Sequence, residues 1–171
     1  MSLIRLVVLV ASLANLSGAR SRSLEVLFFI MTDCPVSNAF APEIQSLCDH
    51  YHERGVSCRL VYEDLRAVDF GRHRQEYGYR NIPYVFDEDR SIARHAGASV
   101  TPQAAVVDPT GTVRYRGRIN NLYASVGHTR SQITEHDLRN ALEALLAGRI
   151  VPVPETKALG CYIADPTVLR P

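Results

Sequence analysis

An apolar run rich in β-formers, "LEVLFFIM" at residues 24–31, leads straight into "TDCPVSNAF" at 32–40. A run without apolar–polar alternation predicts a strand buried on both faces, so the chain must lay helices on either side of a sheet. Pro35 directly after Cys34 suits the first position of a helix, where a missing N–H costs nothing. The sequence therefore predicts a strand, a sharp corner at Cys34 and a helix, which is where a reactive thiolate is best supported.

The alternation continues along the chain. From Asn38 to Arg54, Phe40, Ile44, Leu47, Cys48 and Tyr51 make one helical stripe, with a kink expected at Pro42 and an end at Gly55. "VSCRLVY" (Val56 to Tyr62) reads as the next strand. A polar helix around Ala67–Tyr77, a short strand at "IPYVF" and a helix over "DRSIARHAG" follow. "SVTPQAAVVD" leads into a strand, "DPTG" is a turn, and "TVRYRG" pairs back as a hairpin. Thr134 is expected to cap a last helix striped by Leu138, Ala141, Leu142 and Leu145 and ended by Gly148. This order predicts an α/β fold, with helices flanking a sheet that closes in an antiparallel hairpin.

Residues 1–19 read as a secretory signal peptide. One charge at Arg5 precedes the apolar "LVVLVASLANL", and Ser17, Gly18 and Ala19 supply a cleavage site. An uncleaved anchor or a buried segment are the alternatives. Residues 20–150 form the expected domain. Residues 151–171, "VPVPETKALGCYIADPTVLRP", hold four of the nine prolines and are expected to run extended over the surface without a regular element. Export places the protein in the periplasm or outside the cell, where the four cysteines are read with disulfides in mind. With nineteen basic and eighteen acidic residues, nothing indicates a nucleic-acid or anionic-membrane surface. The arginines of "FGRHRQEYGYR" read as a solvated helix face.

A strand, Cys-Pro at a helix start, a proline eight residues after the cysteine, and Thr-Pro before a strand that turns into a hairpin together resemble the thioredoxin-like fold. The extra helix and strand after Tyr62 resemble the insertion of peroxiredoxin- and TlpA-type redoxins. "DCPVSNAFAPEI", "VTPQAAVVDPTGTVRYRGRINNLY", "DLRNALEALLAG" and "GCYI" are similar to secreted bacterial redoxin-domain proteins. The resemblance implies a central mixed sheet flanked by helices and a cis Thr101–Pro102 bond facing the reactive cysteine. Three departures accompany it. Thioredoxins carry Cys-x-x-Cys, but here Ser37 stands at the second position. Peroxiredoxins carry a threonine one residue farther from the cysteine than Thr32 is, and a proline that this chain lacks. The N-terminal hairpin of redoxins is also absent.

Cys34 is the candidate nucleophile, its thiolate favoured by a helix N-terminus and opposed by Asp33 if that carboxylate points the same way. The bland alternative is an inert buried cysteine. Ser37 can donate to the sulfur but cannot resolve a mixed disulfide. The resolving thiol is therefore sought at Cys161, whose tail of about a dozen extended residues can cross a small domain. A reversible pair, a permanent staple and no bond at all remain open, since sequence does not give connectivity. Cys48 and Cys58 fit core positions as free thiols or as a short structural disulfide. Cys34, Cys161 and His128 would make a soft copper set. The copper-delivering relatives, however, use a second cysteine where Asn38 stands.

Arg114, Arg116 and Arg118 alternate on the hairpin. They read as solvated charge at a sheet edge, or, for Arg118, as a group facing a thiolate or anionic substrate. The supporting residues are thus Thr32, Pro35, Ser37, Thr101, Pro102 and Arg118. The function expected is a thiol-based oxidoreductase without a cofactor, acting on a protein or small-molecule disulfide or on peroxide and restored by a reducing partner protein. The alternative is a non-catalytic binding or copper-delivery module.

Overall fold

The computed structural model of the protein describes residues 23–125 and 127–165; the expected signal peptide lies outside them. A five-stranded sheet runs in the order β3-β2-β1-β5-β6, built from β1 (Glu25–Ile30), β2 (Ser57–Tyr62), β3 (Tyr84–Phe86), β5 (Gln103–Val107) and β6 (Val113–Gly117). β1 pairs parallel with β2 and antiparallel with β5, so the sheet is mixed. β2–β3 is parallel and β5–β6 is the antiparallel hairpin.

The apolar run of β1 is buried from Val26 to Ile30, and its alternation divides the core into two layers. Val26, Phe28 and Ile30 face α2 (Ala41–His52) and α5 (Asp137–Leu146), with Ile44, Leu47, Leu138 and Leu142 packed against them. Leu27 and Phe29 face the other way, onto Ala93 and Ala96 of α4 (Ser91–Ala96). Burying a Leu- or Phe-sized side chain contributes about 2 kcal/mol, so this two-sided burial is what commits the segment to a central strand.

The structure corrects the sequence in several places. The helix expected from Asn38 to Arg54 is two helices, α1 (Pro35–Ala39) and α2, broken at Phe40. Pro42 has no N–H to give the carbonyl of Asn38, so the chain breaks there, and the proline sits harmlessly in the first turn of α2. The polar helix α3 is confined to Phe70–Glu76, with the Asp69 carboxylate capping the N–H of Arg72. Thr134 caps nothing: α5 starts at Asp137, and Asn121 takes up the Thr134 hydroxyl and N–H. A two-strand ribbon, β7 (Tyr123–Ser125) with β8 (His128–Thr129), precedes α5.

The tail does form regular pairing. Arg116 of β6 exchanges backbone hydrogen bonds with Pro154 and Thr156. β9 (Cys161–Tyr162) then pairs antiparallel with β4 (Val100–Thr101). Gly117 makes the first docking possible. An added Cβ there would lie 2.5 Å from the Thr156 carbonyl oxygen, and φ is +149°. Among the described residues, no helix is long and apolar enough to cross a membrane.

Candidate functional site around Cys34 and Cys161

The site lies at the C-terminal end of the parallel strands, where β1 turns into α1. Cys34 is the N-cap of α1, in extended conformation, and its Sγ accepts the Ser37 N–H at 3.4 Å. Pro35 opens the helix and fixes its backbone for that turn. The Ser37 group that meets the sulfur is thus its backbone N–H. Its hydroxyl is buried and without a hydrogen-bond partner, which departs from the hydroxyl contact expected. Asp33, beside the cysteine, is exposed to solvent.

Cys34 is disulfide-bonded to Cys161 across 127 residues of sequence, with a Cα–Cα separation of 6.1 Å. Opposite them stands Thr101–Pro102, joined by a cis peptide bond. The Thr101 carbonyl oxygen lies 3.2 Å from Cys34 Sγ. Gln103 orients the strand by accepting the N–H groups of Ser99 and Val100 on its side-chain oxygen. Cys34 is fully buried, whereas Cys161 is half-buried.

Thr32 supports the corner from below. Its N–H and hydroxyl both donate to the Asp64 carboxylate at the end of β2. Asn38 ties the corner to α3. Its amide donates to the Thr32 carbonyl at 3.0 Å, and its oxygen lies 2.9 Å from His73 Nε2. His73 Nδ1 meets the Tyr62 hydroxyl at 2.9 Å, and burial lowers the His73 pKa, so the ring stays neutral at pH 7. Asp64, His73 and Tyr62 were not among the residues singled out from the sequence. No local pattern marks them, because three separate segments meet there only in the fold.

Arg118 lines a small pocket beside Pro102. β6 ends at Gly117, and the guanidinium is taken up by Asp137 and Glu135 at the start of α5. Arg116 pairs with Glu155 of the tail and Arg114 with Asp108. His128 is exposed on β8, beside the Ser125 hydroxyl. Among the described residues no three His, Cys, Asp or Glu side chains are arranged to hold a metal, so the Cys34–Cys161–His128 set is not assembled. Cys48 and Cys58 are free thiols in mutual contact at the opposite end of the sheet, and the Cys48 thiol is pushed far up by its hydrogen bond with Cys58 and by burial.

A second buried polar group lies at the same end of the sheet as Cys34. Glu63, fully buried after β2, has Arg90 Nε 3.3 Å away and Asp87 alongside. Arg90 also donates to the backbone carbonyls of Asp64, Asp87 and, from the tail, Ala164. Asp87 caps α4 through the N–H groups of Ile92 and Ala93. Desolvation first, then the Asp87 charge, raises Glu63 to about 9, so at pH 7 it is the protonated member of the group.

A mixed sheet layered on both faces by helices, with a cysteine at the strand-to-helix corner facing a Thr-Pro strand, is a thioredoxin-like redoxin. The chain belongs to the AhpC/TSA family, whose model matches residues 11–116. It is similar to an uncharacterized conserved protein from Geobacillus kaustophilus, 29% identical over 83% of this chain and 77% of the other, with a TM-score of 0.68. A hypothetical protein from Sinorhizobium meliloti is 25% identical over 83% of this chain and 79% of that one, with a TM-score of 0.69. A thiol-disulfide oxidoreductase from Bacteroides fragilis shares the fold at 17% identity, covering 58% of this chain and 76% of that one, with a TM-score of 0.50. Among curated proteins none matches the sequence.

Proposed function

We propose that the protein is an exported thiol-disulfide oxidoreductase, with Cys34 as the attacking thiol and Cys161 as the thiol that resolves its mixed disulfide. Residues 1–19 would be removed on export to the periplasm or beyond, leaving residues 20–150 as the catalytic domain and 151–171 as the arm that carries Cys161. The observation that carries this reading is the Cys34–Cys161 disulfide at a helix N-cap.

In the reduced protein the Cys34 thiolate attacks a substrate disulfide, displaces one substrate thiolate and holds the other as a mixed disulfide. Cys161 then attacks the Cys34 sulfur, and the second substrate thiolate leaves with a proton from solvent. The Ser37 N–H and the α1 N-terminus favour charge on Cys34 whenever it is attacker or leaving group. Re-reduction by a partner dithiol runs the other way. Its thiolate approaches over the half-buried Cys161 and expels Cys34, and the partner's second thiol releases Cys161. Disulfides are favoured over peroxide as substrate, because Thr32 is one residue closer to Cys34 than the peroxiredoxin threonine, no proline precedes it, and its hydroxyl is engaged by Asp64.

The test is intact-mass analysis of alkylated protein, reduced by dithiothreitol and then exposed to one equivalent of oxidised glutathione or of hydrogen peroxide. Re-formation of Cys34–Cys161 with glutathione, through a glutathione adduct that Cys161→Ser traps on Cys34, supports the reading. An unmodified Cys34 in both arms defeats it.

A further inference from the structure

The tail does more than deliver a thiol, because it lies in a register that specifies what else can lie there. β4 is a two-residue strand whose only partner among the described strands is β9 of the tail. Thr101 is paired with Cys161 and Val100 with Tyr162, and the Ile163 N–H donates to the Ser99 carbonyl at 3.0 Å. Two residue pairs, that bond and the one from Arg90 to the Ala164 carbonyl hold poorly without the disulfide, since ordering each backbone residue costs about 1–2 kcal/mol. Once Cys34–Cys161 is reduced, the Val100–Thr101 edge is therefore free to take another extended chain by strand addition.

Each tail residue meets a different requirement. Gly160 lies directly on Thr101: an added Cβ would sit 1.9 Å from the Thr101 carbonyl oxygen, 2.7 Å from its carbon and 3.2 Å from Pro102 N. All three are backbone atoms of a buried strand, so they cannot swing aside as a flexible side chain would. Leu159 is half-buried and lines a small pocket together with Phe40, Pro102, Arg118, Ile119 and Tyr123. Ile163 packs against the Leu27–Phe29–Val61 layer of the core. Tyr162, at 83% exposure, is read by nothing.

We propose that the tail is a tethered copy of the partner: the Val100–Thr101 edge receives an extended protein segment of the order apolar–Gly–Cys–x–apolar, with glycine immediately before the reacting cysteine as the discriminating residue. This rests on the redox reading above and adds a substrate class to it. The edge can hold either the partner segment or the tail. Cys161 therefore reaches the Cys34 sulfur only as the partner segment peels away, and resolution of the mixed disulfide and product release become one event. In that step the Cys161 thiolate forms the bond to Cys34, the Cys34–partner bond breaks, and the partner leaves as a thiolate that solvent protonates.

The test uses the full-length Cys161→Ser protein and two peptides, acetyl-Leu-Gly-Cys-Tyr-Ile-amide and its Gly→Ala counterpart, each presented as a mixed disulfide with thionitrobenzoate. Release of thionitrobenzoate gives the rate, and mass mapping confirms the adduct on Cys34. The serine-bearing tail competes equally with both peptides, so their ratio is unaffected. The glycine peptide is expected to react at least about tenfold faster, the factor that 1.4 kcal/mol of lost docking produces. Equal rates overturn the inference. Ellman's reagent, which needs no docking, separates the two ideas. If it labels Cys34 while the peptides do not differ, the redox reading stands and the segment preference falls; a Cys34 inert to every reagent overturns both. Gly160→Ala in the chain with both cysteines is a second reading. At a fixed glutathione ratio its oxidised-to-reduced quotient should fall about tenfold, and an unchanged quotient overturns the inference.

Discussion

Replacing Glu63 by glutamine tests whether this carboxyl is the one buried group whose protonation the fold demands. It is fully buried, neither of its oxygens meets a hydrogen-bond donor in good geometry, and the Asp87 carboxylate alongside accepts the first N–H groups of α4. Its folded-state pKa of about 9 stands above the ordinary 4.5. Between those values the folded protein holds a proton that the unfolded chain does not, so raising the pH favours unfolding. The stabilisation is fully present below about pH 4.5 and is lost as pH rises through about 9, with a limiting slope near 1.4 kcal/mol per pH unit. At pH 7 the unfolded chain must gain a proton roughly two and a half pH units above its pKa, which costs on the order of 3 kcal/mol. Glu63→Gln keeps the shape of the neutral acid and needs no proton. It should therefore be more stable than the parent by up to ~3 kcal/mol at pH 7, with the difference closing toward pH 4.5. Urea unfolding at pH 5, 6, 7 and 8 reads this directly. With a slope of about 2 kcal/mol/M the midpoint should rise by about 1 M or more at pH 7. Parallel stability–pH curves for the two proteins would refute the assignment of the proton to Glu63.

Three further outcomes follow from the same interactions. Arg90→Met should lose about 3–5 kcal/mol, because the backbone carbonyls of Asp64, Asp87 and Ala164 lose their buried donor and Glu63 its cationic neighbour; Arg90→Lys should recover little, since an ammonium cannot fork to all of them. Equal urea midpoints for Arg90→Lys and the parent would contradict this. Native alkylation at pH 8 should label Cys58 before Cys48, whose thiol is buried and pushed far up by its neighbour; mass mapping over time checks the order. Glu143 is held down at about 2 by Arg54 and then by the Tyr51 hydroxyl, so its contribution is present above about pH 4.5 and is lost as pH falls toward 2. Glu143→Gln should flatten that acid limb of the thermal-melting curve while leaving the slope between pH 5 and 8 unchanged.

Much of the architecture was legible because it depends on local periodicity. "LEVLFFIM" carries no alternation and lies between two helical layers, and the stripe from Ile44 to Tyr51 is buried as its spacing predicts. The corner at Cys34 and the turn at "DPTG" were equally readable, since proline and glycine act through their own dihedral angles. Errors fell where a competing partner lay far away in sequence. Thr134 looks like a cap until Asn121 claims it.

By itself the sequence determined that a cysteine stands at a strand-to-helix corner with no second thiol one turn away, and that the one cysteine of the tail is the natural candidate to meet it. Those are statements about neighbours in the chain, and the chemistry of backbone and side chain carries them. Only the tertiary structure decided that Cys161 reaches Cys34, that Asp64 and His73 brace the corner, and that Gly160 lies on the Thr101 carbonyl. Each joins segments separated by tens of residues, and no periodicity records such a contact. It arises when burial of the two core layers brings the end of the tail and the edge of β4 to the same place.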